Sequence, residues 1–365
     1  MKKLRVLVLF GGRSAEHEIS LISAANVLRH LDPKKYEAVP VYIDRRGRWL
    51  LQDRARLMHG HELKPALADS REVLLDTERA LVPTRSGARN SSIDVVFPVL
   101  HGPFGEDGTV QGLLELADLP YVGCGVLASA VGMDKEISYR LAAGAGIPVP
   151  AFFTLTRGRW KKETARVNAQ AARLGYPVFV KPARLGSSVG ISKVAGKGGL
   201  ARAMEVAFLY DDKVIVEKGI QAREIECAVL GDAEDAQVSL PGEVVTSQKH
   251  DFYSYSAKYL DPQGAALKIP AALTKAQTKT VQDLALRAFK TLDCYGLSRV
   301  DFLMDKRTGR FYFGEVNTLP GFTPHSLYPQ LFQASGLSFP KLLDRLVQLA
   351  RDRHQRRRSL RVKPQ

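Results

Sequence analysis

The chain has 365 residues, of which 45% are hydrophobic and 25% charged, and its formal net charge is +15. This length predicts two or three domains with cores of their own, and the composition excludes fibrous and disordered classes. The three cysteines form no Cys-x-x-Cys pair, which excludes a zinc ribbon or disulfide framework and favours a reducing, cytoplasmic compartment. No stretch approaches the roughly 18 apolar residues that a membrane span needs.

Part of the positive charge lies in residues 351–365, where six arginines and one lysine face one aspartate. This segment has no interleaved aromatic side chains on which bases could stack, so we predict a frayed helix end running into a basic, disordered tail. The remaining charge suits an enzyme that binds polyphosphate, and a nucleic-acid- or ATP-binding protein without enzymatic activity stays open as the alternative.

The first segment predicts a strand, a glycine turn and a helix. Residues 4–10 form an apolar run typical of a buried parallel strand, and Gly11-Gly12 precedes a helix that extends through Leu28. This is a Rossmann-like opening, but Gly-x-Gly-x-x-Gly is absent and the acidic pair around His17 would repel a pyrophosphate. We therefore interpret Glu16 as a partner for a cationic amine, with a solvated first-turn carboxylate as the alternative.

Two further strands are predicted in this first unit, at residues 36–43 and 95–100. The second ends in His101 and a glycine-rich loop. Because ligands collect at the carboxyl ends of strands in open α/β sheets, we expect Glu16 and His101 to approach one another there. The βα units end near residue 127.

A strand ending in lysine is the main feature of the next section. It runs to Lys181, and a turn of small residues follows at 186–191. Small residues let backbone amides close on phosphate oxygens with the lysine as a point charge, although this is not a Walker loop. Strands at 213–220 and 224–230 could hold an adenine ring between them, and the long aromatic segment 251–259 suggests a lid.

A β-hairpin is predicted from Arg299 to Asn317, around a polar turn at 305–310. Glu315 and Asn317 are two residues apart and so share a face, and the antiparallel return could bring Asp301 beside them. Three hard oxygen ligands suit Mg²⁺, whereas an ordinary hairpin with a solvated acidic face is the alternative. The turn at 318–321 exposes backbone N–H groups next to this cluster.

These features together resemble the D-alanine–D-alanine ligases of the ATP-grasp superfamily. The motifs that carry the resemblance occur in the family's order: Gly-Gly-Arg-Ser-Ala-Glu-His-Glu-Ile-Ser (11–20), Leu-His-Gly-Pro-Phe-Gly-Glu-Asp-Gly (100–108), Met-Asp-Lys (133–135), Val-Lys-Pro-Ala-Arg-Leu-Gly-Ser-Ser-Val-Gly (180–190), Tyr-Ser-Ala-Lys-Tyr (255–259), Arg-Val-Asp (299–301) and Glu-Val-Asn-Thr-Leu-Pro-Gly (315–321). Each motif alone is weak, but the ordered set is specific.

The resemblance implies an α/β protein with a Rossmann-like N-terminal domain followed by a two-domain ATP-grasp fold. The implied units are a substrate domain at 1–127, a central lid domain at 128–222, a C-terminal domain with the metal site at 223–350, and the basic tail at 351–365. It further implies a cytoplasmic homodimer with no nucleic-acid or membrane partner.

The resemblance also implies where ATP and metal would bind, between the central and C-terminal domains. Phosphate groups would meet Lys135, Lys181 and Lys258; adenine would meet Glu217 and Ile220, and the ribose Glu224. Asp301, Glu315 and Asn317 would hold two Mg²⁺ ions, for which Mn²⁺ can substitute.

The implied reaction joins two D-alanine molecules through a D-alanyl phosphate. Glu16 would meet the ammonium of the first D-alanine, with His101 nearby. Arg299 and the Gly321 amide would stabilise the oxyanion, and Ser326 would bind the carboxylate of the second D-alanine. A hydrogen-bonded set would close the lid and exclude water: Glu16, Ser187 and Tyr259.

The second substrate has alternatives, which are D-lactate and D-serine. The family's D-lactate-using relatives lack the Lys-Tyr pair that stands here as Lys258-Tyr259. This pair therefore favours D-alanine.

Overall fold

The computed structural model describes residues 2–59, 62–67, 70–76, 79–83, 92–246 and 265–361. In these ranges the chain is an α/β protein whose three main sheets follow one another along the sequence. None of the helices described combines the length and the apolar character that crossing a membrane requires.

The first sheet has the strand order β7-β6-β3-β2-β1-β8, and β1 pairs in parallel with both β2 and β8. The elements of this section are β1 (Leu4–Gly11), α1 (His17–His30), β2 (Tyr36–Ile43), β3 (Trp49–Leu51), α2 (Arg54–Leu57), β4 (Met58–His59), β5 (Glu62–Leu63), β6 (Arg71–Leu75), β7 (Leu81–Pro83), β8 (Val95–Val99) and α3 (Thr109–Leu116). β4 and β5 form a separate two-stranded sheet. β1 and β8 consist almost wholly of buried apolar residues, as strands covered on both faces do. The carboxyl ends of β1 and β8 therefore meet at one edge, beside the start of α1.

The second sheet is antiparallel, with the order β11-β10-β12-β9. The elements of this section are α4 (Val126–Met133), α5 (Lys135–Gly144), β9 (Phe152–Thr156), α6 (Arg157–Leu174), β10 (Val178–Pro182), β11 (Ser192–Val194), α7 (Leu200–Ala207) and β12 (Lys213–Lys218). Asp134 caps α5 by accepting from the backbone N–H groups of Glu136 and Ile137, which places Lys135 in the first turn.

The third sheet has the order β16-β15-β13-β17-β18, and β14 pairs with β13 beside that path. The elements are β13 (Ala222–Gly231), β14 (Gln237–Val238), β15 (Gly242–Thr246), β16 (Ala265–Lys268), α8 (Lys275–Thr291), β17 (Gly296–Asp305), β18 (Phe311–Asn317), α9 (Leu327–Ala334) and α10 (Phe339–Arg358). The predicted hairpin is confirmed as the antiparallel pair β17–β18.

One hydrophobic cluster joins the two ends of the chain. It contains buried residues of β1, α1 and β8, such as Val8, Leu28 and Phe97, together with Leu343 and Leu346 of α10. The first sheet and the last helix therefore share a core.

Residues 351–358 continue α10, so the helix end predicted here is confirmed, whereas the disorder predicted for 351–365 is wrong for these residues. The guanidinium of Arg353 lies 4.2 Å from the ring centroid of Tyr121 and donates to the Gly123 carbonyl at 2.8 Å. His354 Nε2 lies 2.8 Å from a carboxylate oxygen of Asp118, and Arg356 pairs with Asp232 at 2.9 Å. These partners on the first and third units hold the helix end, and sequence composition alone did not reveal them.

The predicted domain boundaries fall inside elements of the structure. The boundary after residue 127 cuts α4, the one after 222 cuts β13, and the one after 350 cuts α10. The boundaries stay predictions, each to within the length of the element that it crosses.

Candidate active site

A β-bulge places the acidic residues of the hairpin on one face. Asp301 pairs with Glu315 but Phe302 pairs with Phe313, so Gly314 is an extra residue in β18. In a regular strand Glu315 would share the buried face of Phe313. The extra residue reverses the alternation, so that Phe313 enters the core while Glu315 faces the same side as Asp301.

Asp301 is surrounded by donors on that face. Its carboxylate accepts from Arg299 at 2.8 and 2.7 Å and from the Asn317 amide nitrogen at 2.9 Å. Arg299 also pairs with Glu226 of β13 at 2.6 Å. Burial alone would lower the pKa of Arg299, but the carboxylates of Asp301 and Glu226 hold it well above its ordinary value. The guanidinium is therefore a fixed positive charge in the site.

Lys135 connects the hairpin to the second sheet. Its ammonium lies 3.3 Å from Glu315 Oε2 and donates to the Leu185 carbonyl at 2.9 Å. The side chain is 9% exposed, so this charge is directed between the sheets and not into solvent.

Lys181 and Glu217 face each other across β10 and β12, with 2.5 Å between the ammonium and the carboxylate. Glu217 is buried and also accepts from the Tyr139 hydroxyl at 3.0 Å. Ile220 follows in the connection between the second and third sheets, and Glu224 lies on β13 opposite Leu303. The residues predicted to bind ATP therefore line the junction of the second and third sheets: Lys181, Glu217, Ile220 and Glu224.

The turn after β10 contains three residues with positive φ angles. Ser187 and Ser188 have φ angles of 54° and 57°, which place both in the left-handed region that L-residues rarely adopt. Gly190 has a φ of 73°, and a Cβ there would lie 2.7 Å from the Tyr210 ring and 2.9 Å from Pro182. The turn is thus packed from both sides at Gly190.

Glu16 lies between this turn and the loop that follows β8. A Cβ on Gly102 would lie 3.0 Å from Glu16 Oε2, and one on Gly186 would lie 4.0 Å from the same oxygen. The carboxylate of Glu16 therefore reaches the edge of the sheet where His101 is buried.

His101 is bonded through both ring nitrogens. Nδ1 lies 3.3 Å from the Leu319 carbonyl, and Nε2 lies 3.4 Å from the Ser23 hydroxyl. Burial lowers the pKa of His101 below its ordinary value, which favours the neutral ring. Because a carbonyl only accepts, Nδ1 carries the proton and Nε2 accepts from Ser23.

Glu106 is a carboxyl group that the sequence analysis did not select. It accepts from the Gly102 N–H at 2.8 Å. Burial and then the charge of Glu16 raise its pKa from 4.5 to about 8, and the Gly102 hydrogen bond opposes this only in part. Glu106 is therefore protonated at neutral pH.

Gly321 and Ser326 lie together after β18. A Cβ on Gly321 would lie 2.7 Å from Ser326 Oγ, and that hydroxyl oxygen accepts from the Thr323 N–H at 2.9 Å. The two predicted residues Lys258 and Tyr259 lie outside the described residues.

Three polar residues of the site were missed by sequence reasoning: Glu106, Tyr139 and Glu226. Glu106 stands within the Gly-rich motif after His101, and its place beside Asp107 gave no ground for choosing between them. Glu226 alternates with Glu224 on β13, a spacing that predicts a shared face. Tyr139 is one of many helical aromatics, and only the fold shows that it contacts Glu217.

Two family models match consecutive parts of the chain. The model described as D-ala D-ala ligase N-terminus matches residues 5–124, and the one described as D-ala D-ala ligase C-terminus matches residues 141–348. Among similar proteins, D-alanine–D-alanine ligase A of Bradyrhizobium diazoefficiens is 53% identical over 98% of both chains. D-alanine–D-alanine ligase of Caldicellulosiruptor bescii is 46% identical over 99% of this chain and 98% of its own.

Two solved structures have the same fold. VanG D-Ala:D-Ser ligase from Enterococcus faecalis superposes with a TM-score of 0.83 at 37% identity, covering 96% of this chain and all of its own. D-alanine–D-alanine ligase from Coxiella burnetii gives 0.82 at 37% identity, covering 98% of this chain and 97% of its own.

Proposed function

The chain belongs to the D-alanine–D-alanine ligase family, and on this premise we propose that it joins two D-alanine molecules into D-alanyl-D-alanine, converting ATP to ADP and phosphate. The observation that carries this proposal is the 53% identity to a D-alanine–D-alanine ligase over 98% of both chains. The dipeptide is a precursor of peptidoglycan. The reaction passes through a D-alanyl phosphate, which the amine of the second D-alanine attacks.

ATP is proposed to lie at the junction of the second and third sheets. Lys135 and Lys181 would hold the phosphates, with Lys258 assisting, and the Ser187–Ser188 turn would supply backbone N–H groups. Glu217, Ile220 and Glu224 would receive the adenine and ribose. The convergence of Lys135 on both Glu315 and the Leu185 carbonyl supports this placement.

The hairpin fits a magnesium site by the chemistry of its oxygen donors. Asp301 and Glu315 are opposed across β17–β18 and Asn317 contacts Asp301, which offers two carboxylates and one amide. In the part of the chain that the structure describes, no three Asp, Glu, His or Cys side chains form a metal site of their own, and the third proposed ligand is the Asn317 amide. Bound Mg²⁺ ions would neutralise phosphate charge during phosphoryl transfer.

The remaining residues are proposed to act on the amino acids. Glu16 would bind the ammonium of the first D-alanine beside His101, and Ser326 would bind the carboxylate of the second. Arg299, a fixed cation, and the Gly321 amide would stabilise the oxyanion of the tetrahedral intermediate. Glu16, Ser187 and Tyr259 would close the site against water.

The domain organisation is proposed from the same premise. A Rossmann-like unit near 1–127, a central unit near 128–222 and a C-terminal unit near 223–350 correspond to the three successive sheets, which supports the division. We place the enzyme in the cytoplasm as a homodimer.

A second candidate is a ligase that takes D-serine as its second substrate. It is favoured by one observation, the TM-score of 0.83 to a D-Ala:D-Ser ligase. The higher identity to D-alanine–D-alanine ligases over the full chain favours D-alanine.

Product analysis tests the proposal. The purified protein with Mg-ATP is given D-alanine, L-alanine, or D-alanine with an equal amount of D-serine or D-lactate. Phosphate release and product masses are then recorded. We expect release with D-alanine, D-alanyl-D-alanine as the main product in every mixture, and no dipeptide from L-alanine. If the mixed product exceeds D-alanyl-D-alanine, the added D-serine or D-lactate is the second substrate. A folded protein that releases no phosphate would overturn the ligase assignment.

A further inference from the structure

Three side chains of the first unit hold the turn that carries Gly321. The turn runs from Leu319 to Phe322. His101 Nδ1 donates to the Leu319 carbonyl at 3.3 Å, the Phe322 N–H donates to Ser23 Oγ at 3.2 Å, and Asn26 Nδ2 donates to the Phe322 carbonyl at 2.9 Å. Both backbone polar groups of Phe322 and the carbonyl at the other end of the turn are therefore bound by the first unit.

The directions of these hydrogen bonds are mutually consistent. The Ser23 oxygen accepts from Phe322, so its own proton is available for His101 Nε2, 3.4 Å away. The neutral ring, which burial favours, accepts there and donates through Nδ1 to Leu319. Hydrogen bonds therefore run from Phe322 through Ser23 and His101 to Leu319. They fix the two ends of the turn relative to each other.

Ser23 and Asn26 of α1 are polar side chains at buried positions. Ser23 is fully buried and Asn26 is 6% exposed, among the buried apolar neighbours Ala24, Ala25 and Val27. Ser and Asn are poorer helix formers than Ala, and a buried polar group is costly unless it is hydrogen-bonded. Their partners in the Leu319–Phe322 turn supply that compensation. We call Ser23 and Asn26 the α1 clamp.

We propose that the α1 clamp positions the Gly321 amide for the amide-forming step. The inference rests on the proposed function, in which that N–H faces the oxyanion of the second step. Displacement of an oxyanion donor by about 1 Å is enough to slow such a step severely. Phosphorylation of the first D-alanine takes place at the lysines and the hairpin carboxylates, which the clamp does not contact. Loss of the clamp therefore slows the second step more than the first.

The test compares phosphate release with dipeptide formation in one reaction. Ser23→Ala removes the hydroxyl, and Asn26→Asp keeps the shape but removes the donor. In each variant we expect dipeptide formation to fall about tenfold and the phosphate released per dipeptide to rise severalfold. The excess arises because D-alanyl phosphate that waits for the amine reacts with water to give D-alanine and phosphate. Ser23→Thr, which keeps the hydroxyl, should return the ratio towards one.

Ser20→Ala is the matched control, because Ser20 is a fully buried α1 residue whose hydroxyl accepts from the Gly11 N–H at 2.8 Å and donates to the Val99 carbonyl, not to the turn. It should keep the ratio at one. If Ser23→Ala and Asn26→Asp also keep the ratio at one, whether or not both rates fall, the positioning role is overturned. If the wild-type protein forms no dipeptide at all, it is the proposed function that fails.

Discussion

At the scale of single residues, Glu106 is a carboxyl group that the fold keeps protonated. Its pKa is raised from 4.5 to about 8, first by burial and then by the neighbouring charge of Glu16. The folded protein therefore retains a proton that the unfolded chain releases above about pH 4.5. The stability that this proton contributes is complete below that pH and is lost as the pH rises through about 8.

We predict that Glu106→Gln removes this pH dependence. Glutamine cannot ionise, and its carbonyl oxygen can still accept from Gly102. The difference in melting temperature, variant minus wild type, should increase by roughly 5 °C from pH 5 to pH 9. Thermal unfolding without substrates measures this, with Glu205→Gln at an exposed site on α7 as the control. A difference that stays flat across this range would contradict the assignment.

Glu315 gives a second prediction at this scale. Glu315→Gln removes one charge from the proposed metal site without altering core packing, since Glu315 lies on the face of β18 opposite Phe313. We expect kcat to fall by about 100-fold or more and the Mg²⁺ concentration for half-maximal rate to rise, with the melting temperature little changed. A magnesium titration checks this, and Asp283→Asn on the exposed face of α8 is the matched loss of charge. Normal turnover with unaltered Mg²⁺ dependence would remove Glu315 from the metal site.

At the scale of elements, the turn after β10, which we propose to bind phosphate, depends on Gly190. An alanine there has to adopt a φ near 73° and to displace both the Tyr210 ring and Pro182. We predict that Gly190→Ala raises the KM for ATP about tenfold, because the turn shifts away from the phosphates. Steady-state kinetics at saturating D-alanine measure the effect.

Two comparisons make the Gly190 experiment specific. Gly198→Ala, where a Cβ meets open space, should leave the KM unchanged. The double variant Gly190→Ala with Tyr210→Ala should recover part of the loss, because the ring no longer obstructs the new methyl group. An equal KM in single and double variants would mean that contact with Tyr210 does not set the turn.

The hairpin shows how far an element could be predicted from its residues. Two runs rich in β-branched and aromatic residues around a polar turn predicted the strand pair. The two-residue spacing of Glu315 and Asn317 predicted that they share a face. The bulge at Gly314 was not predicted, because a glycine fits a regular strand as well. Its one trace in the sequence is the apolar spacing, which changes from two residues between Phe311 and Phe313 to three between Phe313 and Val316. Tertiary packing resolves what the local pattern leaves open.

At the scale of the whole molecule, α10 joins the first and third units. Arg353 donates to the carbonyls of Tyr121 and Gly123, and its guanidinium lies over the rings of Tyr121 and Tyr295 at 4.2 and 4.9 Å. We predict that Arg353→Ala lowers the melting temperature by roughly 4 °C, since it removes both sets of contacts.

Scanning calorimetry checks this prediction. Arg351→Ala, at an exposed position of the same helix, is the control for the loss of charge and should change the melting temperature by less than about 1 °C. Equal shifts for the two variants would show that charge, and not the contacts of Arg353, is responsible.

The same helix marks the limit of prediction at this scale. The order of the motifs implied three successive units through the family resemblance, which also implied the place of Lys135. The approach of Glu16 to the loop after His101 was predicted from the residues, because both follow the carboxyl ends of buried strands. The role of residues 351–358 did not follow, because several of their partners lie more than 230 residues earlier and no local pattern identifies them. The polar residues of α1 that bond the Leu319–Phe322 turn escaped prediction for the same reason.

The core shared by β1, α1, β8 and α10 has a consequence for synthesis on the ribosome. The first sheet emerges early, yet part of one of its faces, beside α1, stays uncovered until Leu343 and Leu346 have been translated. Nascent chains would therefore expose an apolar surface for most of their elongation and would be candidates for chaperone binding during that time. An mRNA truncated before the α10 codons would yield a protein whose first sheet lacks the packing of α10. We expect cellular proteases to degrade that protein.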